Sequence, residues 1–206
     1  MSGLGTSFGF GACTNFPRDL TNSDCVLVMG SNMAESHPVA FLWPTLAQQA
    51  GATLIHVDPR YTRTSAAADV HVTIRPGTDL AFLGGIVRYI LAHDRHFAEY
   101  VVHYTNAATI LSPDYAFDAE QGVFAGYDAA SRKYDLLPHA WDYVMELDAE
   151  GRPWRPKVDP TLQDPNCVFQ VLKRHFDPYT PEKVAEVCGC RPQDVVRVAE
   201  LLCRNS

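Results

Sequence analysis

Three short segments of this 206-residue chain hold most of the residue types able to do chemistry. The first is Gly30-Ser31-Asn32-Met33-Ala34-Glu35-Ser36, set between an apolar run and a helix-type stretch that opens at Pro38. Gly30 allows a backbone approach that a Cβ would block. Ser31, Asn32 and Ser36 bring hydroxyl and amide groups. Backbone N–H groups left free ahead of a helix suit a phosphate, and a routine polar connection between strand and helix uses the same residues. The segment is not G-x-G-x-x-G, so an ordinary nicotinamide site is not supported. The second is Val57-Asp58-Pro59-Arg60-Tyr61-Thr62-Arg63. Asp58, closing a second apolar run, is suited to accept two ribose hydroxyl protons or to cap its own loop. Arg60 and Arg63 offer forked donors to a pyrophosphate, or stand in solvent. The third is Arg75-Pro76-Gly77-Thr78-Asp79. Its Asp79 carboxylate can take two donors from the N–H edge of a guanine, or simply serve the start of the next helix.

The elements that must position these segments follow from hydrophobic pattern. Cys25–Met29 and Thr53–Asp58 are continuous apolar runs of the kind that form strands buried on both faces, and Val70–Ile74 alternates. Pro38–Ala50 and Leu80–Ala92 read as helices, the first with Pro44 inside it as a source of a kink or a late start. Residues 106–160 change character, with Gly122, Gly126 and Gly151 among aromatic and acidic residues, and predict a hairpin-like piece at 122–128 and a strand running into a turn over 143–152. Helices are expected from Asp164-Pro165 through Lys173, from Thr180-Pro181, and from Arg191-Pro192 toward Cys203. The expected class is α/β: a partial doubly wound parallel sheet (Rossmann-like) with a hairpin-rich insertion and C-terminal helices. Its segments are 1–105 for the nucleotide-binding portion, 106–160 for the insertion and 161–206 for a helical part of the same domain. Such sheets place ligands beyond the carboxyl ends of their strands.

Composition narrows the partners. The chain is 47% hydrophobic and 20% charged, enough apolar material for a real core. With 24 acidic against 17 basic residues, net charge is −7 and no basic block exists, which argues against nucleic acid. No run approaches the ~18 apolar residues of a membrane span, so no direct membrane insertion is expected. Cys13, Cys25, Cys167, Cys188, Cys190 and Cys203 contain no C-x-x-C pair and read as free thiols, not as metal ligands. His56 and His71 lie in strand patterns and read as packing residues; His93, His96 and His103 read as surface positions, and His37 as a hydrogen-bonded structural residue. No nucleophile motif supports a hydrolase, and no catalytic or metal-ligating residue is assigned.

Taken together and in order, Gly30–Pro38, Val57–Thr64 and Arg75–Asp79 resemble the molybdopterin oxidoreductases of the dimethyl-sulfoxide-reductase type. The stretches Thr6–Asn15, Tyr104–Ala107, Gly126–Asp128 and Arg132–Asp135 extend the resemblance to the large catalytic subunits of formate dehydrogenases, over nearly the whole chain. The resemblance implies a portion that binds one of two molybdopterin guanine dinucleotides around molybdenum or tungsten. Gly30, Ser31, Asn32, Met33, Ala34, Glu35 and Ser36 would face phosphates and pterin; Asp58, Pro59, Arg60 and Thr62 the guanosine; and Gly77, Thr78 and Asp79 the same nucleotide. The implied reaction of the intact enzyme is formate oxidation to carbon dioxide. Other members acting on nitrate, thiosulfate or arsenic compounds, and a stand-alone nucleotide-binding module, are the alternative readings.

The family's four-cysteine iron–sulfur motif has no counterpart here. Its metal-ligating cysteine or selenocysteine is expected just ahead of Ser2, a break that an in-frame UGA read as a stop would explain. The chain is therefore expected to be an internal fragment, inactive alone. Its implied partners are the remainder of the catalytic subunit and an iron–sulfur electron-transfer subunit. The compartment would be periplasmic if it follows respiratory formate dehydrogenases, and otherwise cytoplasmic.

Overall fold

The computed structural model describes residues 4–5, 9, 15–118, 120–134 and 143–204. Cys13, most of the 6–15 stretch and Asp135 lie outside them. Three parallel strands, β1 (Cys25–Met29), β2 (Thr53–Val57) and β3 (Val70–Val72), form a sheet in the order β1-β2-β3. Met29 pairs with Val57 and Val57 with Val72, so all three strands end flush at one carboxyl edge. Every connection leaving that edge starts from the same line, and the three chemistry-bearing segments are those connections.

Their burial explains the sheet. Leu54, Ile55, His56 and Val57 of β2 are fully enclosed, as expected for a central strand covered on both faces. The chain enters through a 3-10 turn (Pro17–Asn22) and crosses from β1 to β2 through α1 (Met33–Ser36) and α2 (Pro38–Gln49). The second of these starts at Pro38 and runs on through Pro44, so the late start allowed by sequence does not occur. A short α3 (Arg63–Ala67) links β2 to β3, which stops at Val72, two residues earlier than the alternation suggests. Ile74 stays buried beyond the strand, because Arg75 N–H leaves the sheet to bond the Cys188 carbonyl.

Two compact units divide the chain: residues 1–89 with 179–205, and residues 90–178. In the first, α4 (Asp79–Ala92) presents Phe82 and Ile86 to the core alongside α7 (Pro181–Cys188) and α8 (Pro192–Leu202). A Cβ on Gly85 would lie 3.0 Å from side-chain carbons of both Val184 and Val195, so glycine lets α4 approach the two helices closely. Thr180 caps α7 by accepting the Lys183 N–H at 3.3 Å, and Pro181 and Pro192 occupy the first turns the sequence indicates.

The second unit holds α5 (Ala98–Tyr104), three two-stranded antiparallel sheets and α6 (Val168–Phe176). The pairs are β4 (Phe117–Asp118) with β5 (Val123–Phe124), β6 (Tyr127–Asp128) with β7 (Lys133–Tyr134), and β8 (Met145–Leu147) with β9 (Pro153–Pro156). Ile110, Leu111, Leu162, Cys167 and Phe169 are among its buried side chains, around the bridges at Thr109, Ile110 and Leu111. Helix α6 begins after Cys167, not at Asp164-Pro165. Asp164 instead accepts the Asn166 N–H at 2.8 Å, and its carbonyl the Cys167 N–H, closing a turn first. The units meet at 89/90 and 178/179, so α7 and α8 belong to the first and α6 to the second.

Candidate functional site

The first two loops are stitched together by buried polar groups. Gly30 turns with φ +63°, a left-handed conformation that glycine adopts without strain, and nothing lies within 4 Å of where its Cβ would stand. Its N–H donates to the Val57 carbonyl at 2.9 Å. The Ser31, Asn32 and Met33 N–H groups that follow have no hydrogen-bond partner among the described residues. Ala34 N–H donates to Thr64 Oγ1 at 3.0 Å, and that hydroxyl donates to Asn32 Oδ1 at 3.1 Å. Asn32 also donates to the Glu35 carboxylate, which meets Arg63 at 3.3 Å; Ser36 Oγ returns to the Asn32 carbonyl at 2.9 Å.

A residue read from sequence as packing sits at the centre of this join. His56 is completely enclosed, with Nε2 3.1 Å from the Ser31 carbonyl and Nδ1 2.8 Å from Ser65 Oγ. A carbonyl only accepts, so Nε2 carries the proton and Nδ1 accepts from the serine hydroxyl. Burial holds the His56 pKa below the usual histidine range, against the opposing pull of the Ser31 carbonyl and Asp58. The ring is therefore neutral, and its 3.9 Å approach to Asp58 Oδ2 is not an ion pair. His71 stacks on it at 5.6 Å between centroids, with Tyr61 edge-on to His71 at 5.2 Å. The signal available in sequence was a lone imidazole in the apolar run that ends at Asp58.

Asp58 itself is buried at 4% exposure, and its Oδ1 accepts the Arg60 N–H at 2.8 Å, so it does cap its loop. Oδ2 remains at the edge. Pro59 and Arg60 are exposed, and the Arg60 guanidinium has no partner among the described residues. Thr62 begins α3, its N–H bonding Ser65 Oγ at 2.8 Å. Arg63, by contrast, is occupied by Glu35.

The third loop leaves the same edge but is fastened elsewhere. Arg75 Nη1 donates to the Glu186 and Val187 carbonyls at 2.8 and 3.0 Å, satisfying the carboxyl end of α7. Cys188 Sγ reaches the Thr78 carbonyl at 3.5 Å, and Thr78 Oγ1 donates to the Arg75 carbonyl at 2.7 Å. Gly77 turns with φ +81°. Asp79 opens α4 with an exposed carboxylate that has no partner among the described residues. A neighbouring hollow of about 600 Å³, lined by Phe16, Leu20, Val26, Val28 and His37, takes in Ser31 and Met33 of the expected residues but not Asp58, Arg60 or Asp79.

The family model for molybdopterin oxidoreductases matches residues 3–96, a stretch that contains all three loops. Residues 3–96 thus form a molybdopterin oxidoreductase segment, and nearly the whole chain is similar to formate dehydrogenase catalytic subunits. Over 203 residues it is 46% identical to the formate dehydrogenase 2 subunit alpha (cytochrome c-553) of Nitratidesulfovibrio vulgaris, covering 98% of this chain and 19% of that protein. Over 207 residues it is 45% identical to the nitrate-inducible formate dehydrogenase major subunit of Escherichia coli K12, covering 100% and 20%. The chain thus spans about a fifth of the length of those relatives. Among solved structures, acetylene hydratase from Pelobacter acetylenicus superposes with a TM-score of 0.52 at 20% identity, over 89% of this chain and 18% of that one, a likeness of fold. No helix among the described residues is long and apolar enough to cross a membrane.

Proposed function

We propose that this chain is the part of a formate dehydrogenase that holds the guanosine-phosphate arm of one molybdopterin guanine dinucleotide. One observation carries the reading: three loops leave a flush parallel-sheet edge, and each keeps at least one ligand-type group that no hydrogen bond among the described residues uses. Those groups match the dinucleotide. The three free N–H groups of Ser31, Asn32 and Met33, with the Arg60 guanidinium, suit phosphate oxygens. Asp58 Oδ2 suits a ribose hydroxyl, and the exposed Asp79 carboxylate suits the N–H edge of guanine.

When bound, the cofactor's molybdenum or tungsten supplies two-electron chemistry for formate oxidation. The residues here bind and orient. Formate as substrate is supported by 45–46% identity to two formate dehydrogenase subunits. The proposal extends to the assembly the resemblance implies: the rest of the catalytic subunit, an iron–sulfur partner that carries electrons away, and a periplasmic location if the enzyme is of the respiratory kind, otherwise a cytoplasmic one. In the completed subunit β1-β2-β3 forms half of a doubly wound, Rossmann-like sheet. Its other half adds beside β1, whose outer edge pairs with no strand among the described residues.

Calorimetric titration of the chain with GDP and ADP tests the guanine reading. GDP is expected to bind in preference to ADP, and Asp79→Asn to weaken GDP about 10-fold, the scale of one charge-assisted hydrogen bond. Equal binding of GDP and ADP, or an unaffected variant, would overturn the assignment of Asp79.

A further inference from the structure

We infer that His56 is a positioning residue: its Nε2–H bond to the Ser31 carbonyl locks the Gly30–Asn32 turn onto α3, keeping the first loop's free N–H groups aimed at the dinucleotide phosphate. The inference rests on the cofactor reading above and names what makes that loop rigid.

Three observations converge on it. His56 is the one polar side chain of β2 that is wholly enclosed, and a buried imidazole is costly unless both nitrogens are satisfied. Both are, and by different loops: Ser31 lies 25 residues before it and Ser65 nine residues after. Ser65 is itself fixed, at 3% exposure, by accepting the Thr62 N–H. Its hydroxyl lies 2.8 Å from Nδ1 against 3.5 Å from its other acceptor, the Arg60 carbonyl, so the Nε2–H tautomer that the Ser31 carbonyl requires leaves Nδ1 to accept its proton. The chain of bonds runs from the start of α3 through the ring to the Ser31 carbonyl. That carbonyl belongs to the peptide whose N–H is donated by Asn32, one of the three unspent donors. Rotation of this peptide breaks the His56 bond, so the ring fixes where the donor points. A second bond, Ala34 N–H to Thr64 Oγ1, ties the same loop to α3 and reports whether the join holds.

The test compares His56→Gln, His56→Asn and His56→Leu in the full chain. A glutamine amide extends to the Nε2 position and can donate to Ser31; an asparagine amide reaches only the Nδ1 position. Nitrogen chemical shifts of the unsubstituted ring should report a protonated Nε2 and a bare Nδ1. Exchange of the Ala34 amide and GDP affinity are then measured together. Asparagine and leucine should speed exchange and weaken GDP by about 10-fold each, the scale of one buried hydrogen bond, with glutamine within about 3-fold of the unsubstituted chain. If the leucine variant does not fold, the asparagine–glutamine pair decides. Asparagine matching the unsubstituted chain, or glutamine failing as asparagine does, would overturn the inference. Failure of the unsubstituted chain to bind GDP would overturn the cofactor reading and the phosphate-aiming part of this one, while the exchange comparison would still decide whether His56 locks the loop.

Discussion

Asp58 and Asp79 look alike in sequence, each an acid between a strand pattern and the helix pattern that follows, yet their surroundings assign them different costs. Asp58 is buried and holds the Arg60 N–H, so Asp58→Ala strands that donor and should cost about 1–3 kcal/mol of stability. Asp79 is exposed and unpartnered among the described residues, so Asp79→Ala should change stability by no more than about 0.5 kcal/mol. Urea unfolding of both variants checks the contrast; equal losses would contradict it. The two acids were legible because a carboxylate at a strand end or a helix start is conspicuous. His56 was not, since its meaning depends on Ser31 and Ser65, and only folding brings the first of these beside it. Arg63, which the sequence offers to a pyrophosphate or to solvent, meets Glu35 instead, a pairing that nothing local reveals. His96, read as a surface residue, is in fact part-buried against Phe169 at 4.7 Å.

At the scale of elements, local patterning was a sound guide where it decided the structure by itself. Strands β1 and β2, helices α2 and α4, and the Thr180-Pro181 and Arg191-Pro192 starts lie where the sequence indicates. It failed where a distant group intervened, as when Cys188 ends β3 early by drawing off Arg75. Helix α4 shows the same dependence. A Cβ on Gly84 would lie 2.4 Å from Tyr179 Cδ1. Gly84→Ala should therefore destabilise by about 1–3 kcal/mol through overpacking, outweighing the ~1 kcal/mol that alanine gains in a helix. A rise in melting temperature would show that the ring simply moves aside.

The turn before α6 is built on Asp159, whose carboxylate accepts from Thr161 N–H and Oγ1, Gln163 N–H and Asp164 N–H at 2.6–2.9 Å. These bonds lower its pKa from 3.8 to about 2, with the Thr161 hydroxyl the largest cause. A depressed acid stabilises the fold fully above its unfolded pKa and loses that contribution as pH falls through the folded value. Stability of the second unit should accordingly decline between about pH 4 and pH 2. Asp159→Asn should flatten that limb in a pH series of thermal unfolding. An unchanged slope would contradict the assignment.

Seen as a whole, the molecule puts three loops on one edge by the simplest available means, parallel strands of matched ends. The βα order was readable from 25 to 92, and 161–206 read as a helical part of the same domain, but the pattern did not show what brings 179–204 back to the first unit. That return depends on Arg75 meeting carbonyls more than 100 residues away, which no local pattern encodes. The proposed dianionic ligand would approach a chain of net charge −7, so on that reading Arg60 and the free N–H groups carry the local attraction. Mapping amide shifts of the isotope-labelled chain during titration with GDP tests the central claim most directly. The account predicts perturbations concentrated in 30–33, 58–62 and 77–79, saturating together with one affinity. Perturbations confined to the Phe16–Leu20 hollow, or absent from any one of the three loops, would contradict it.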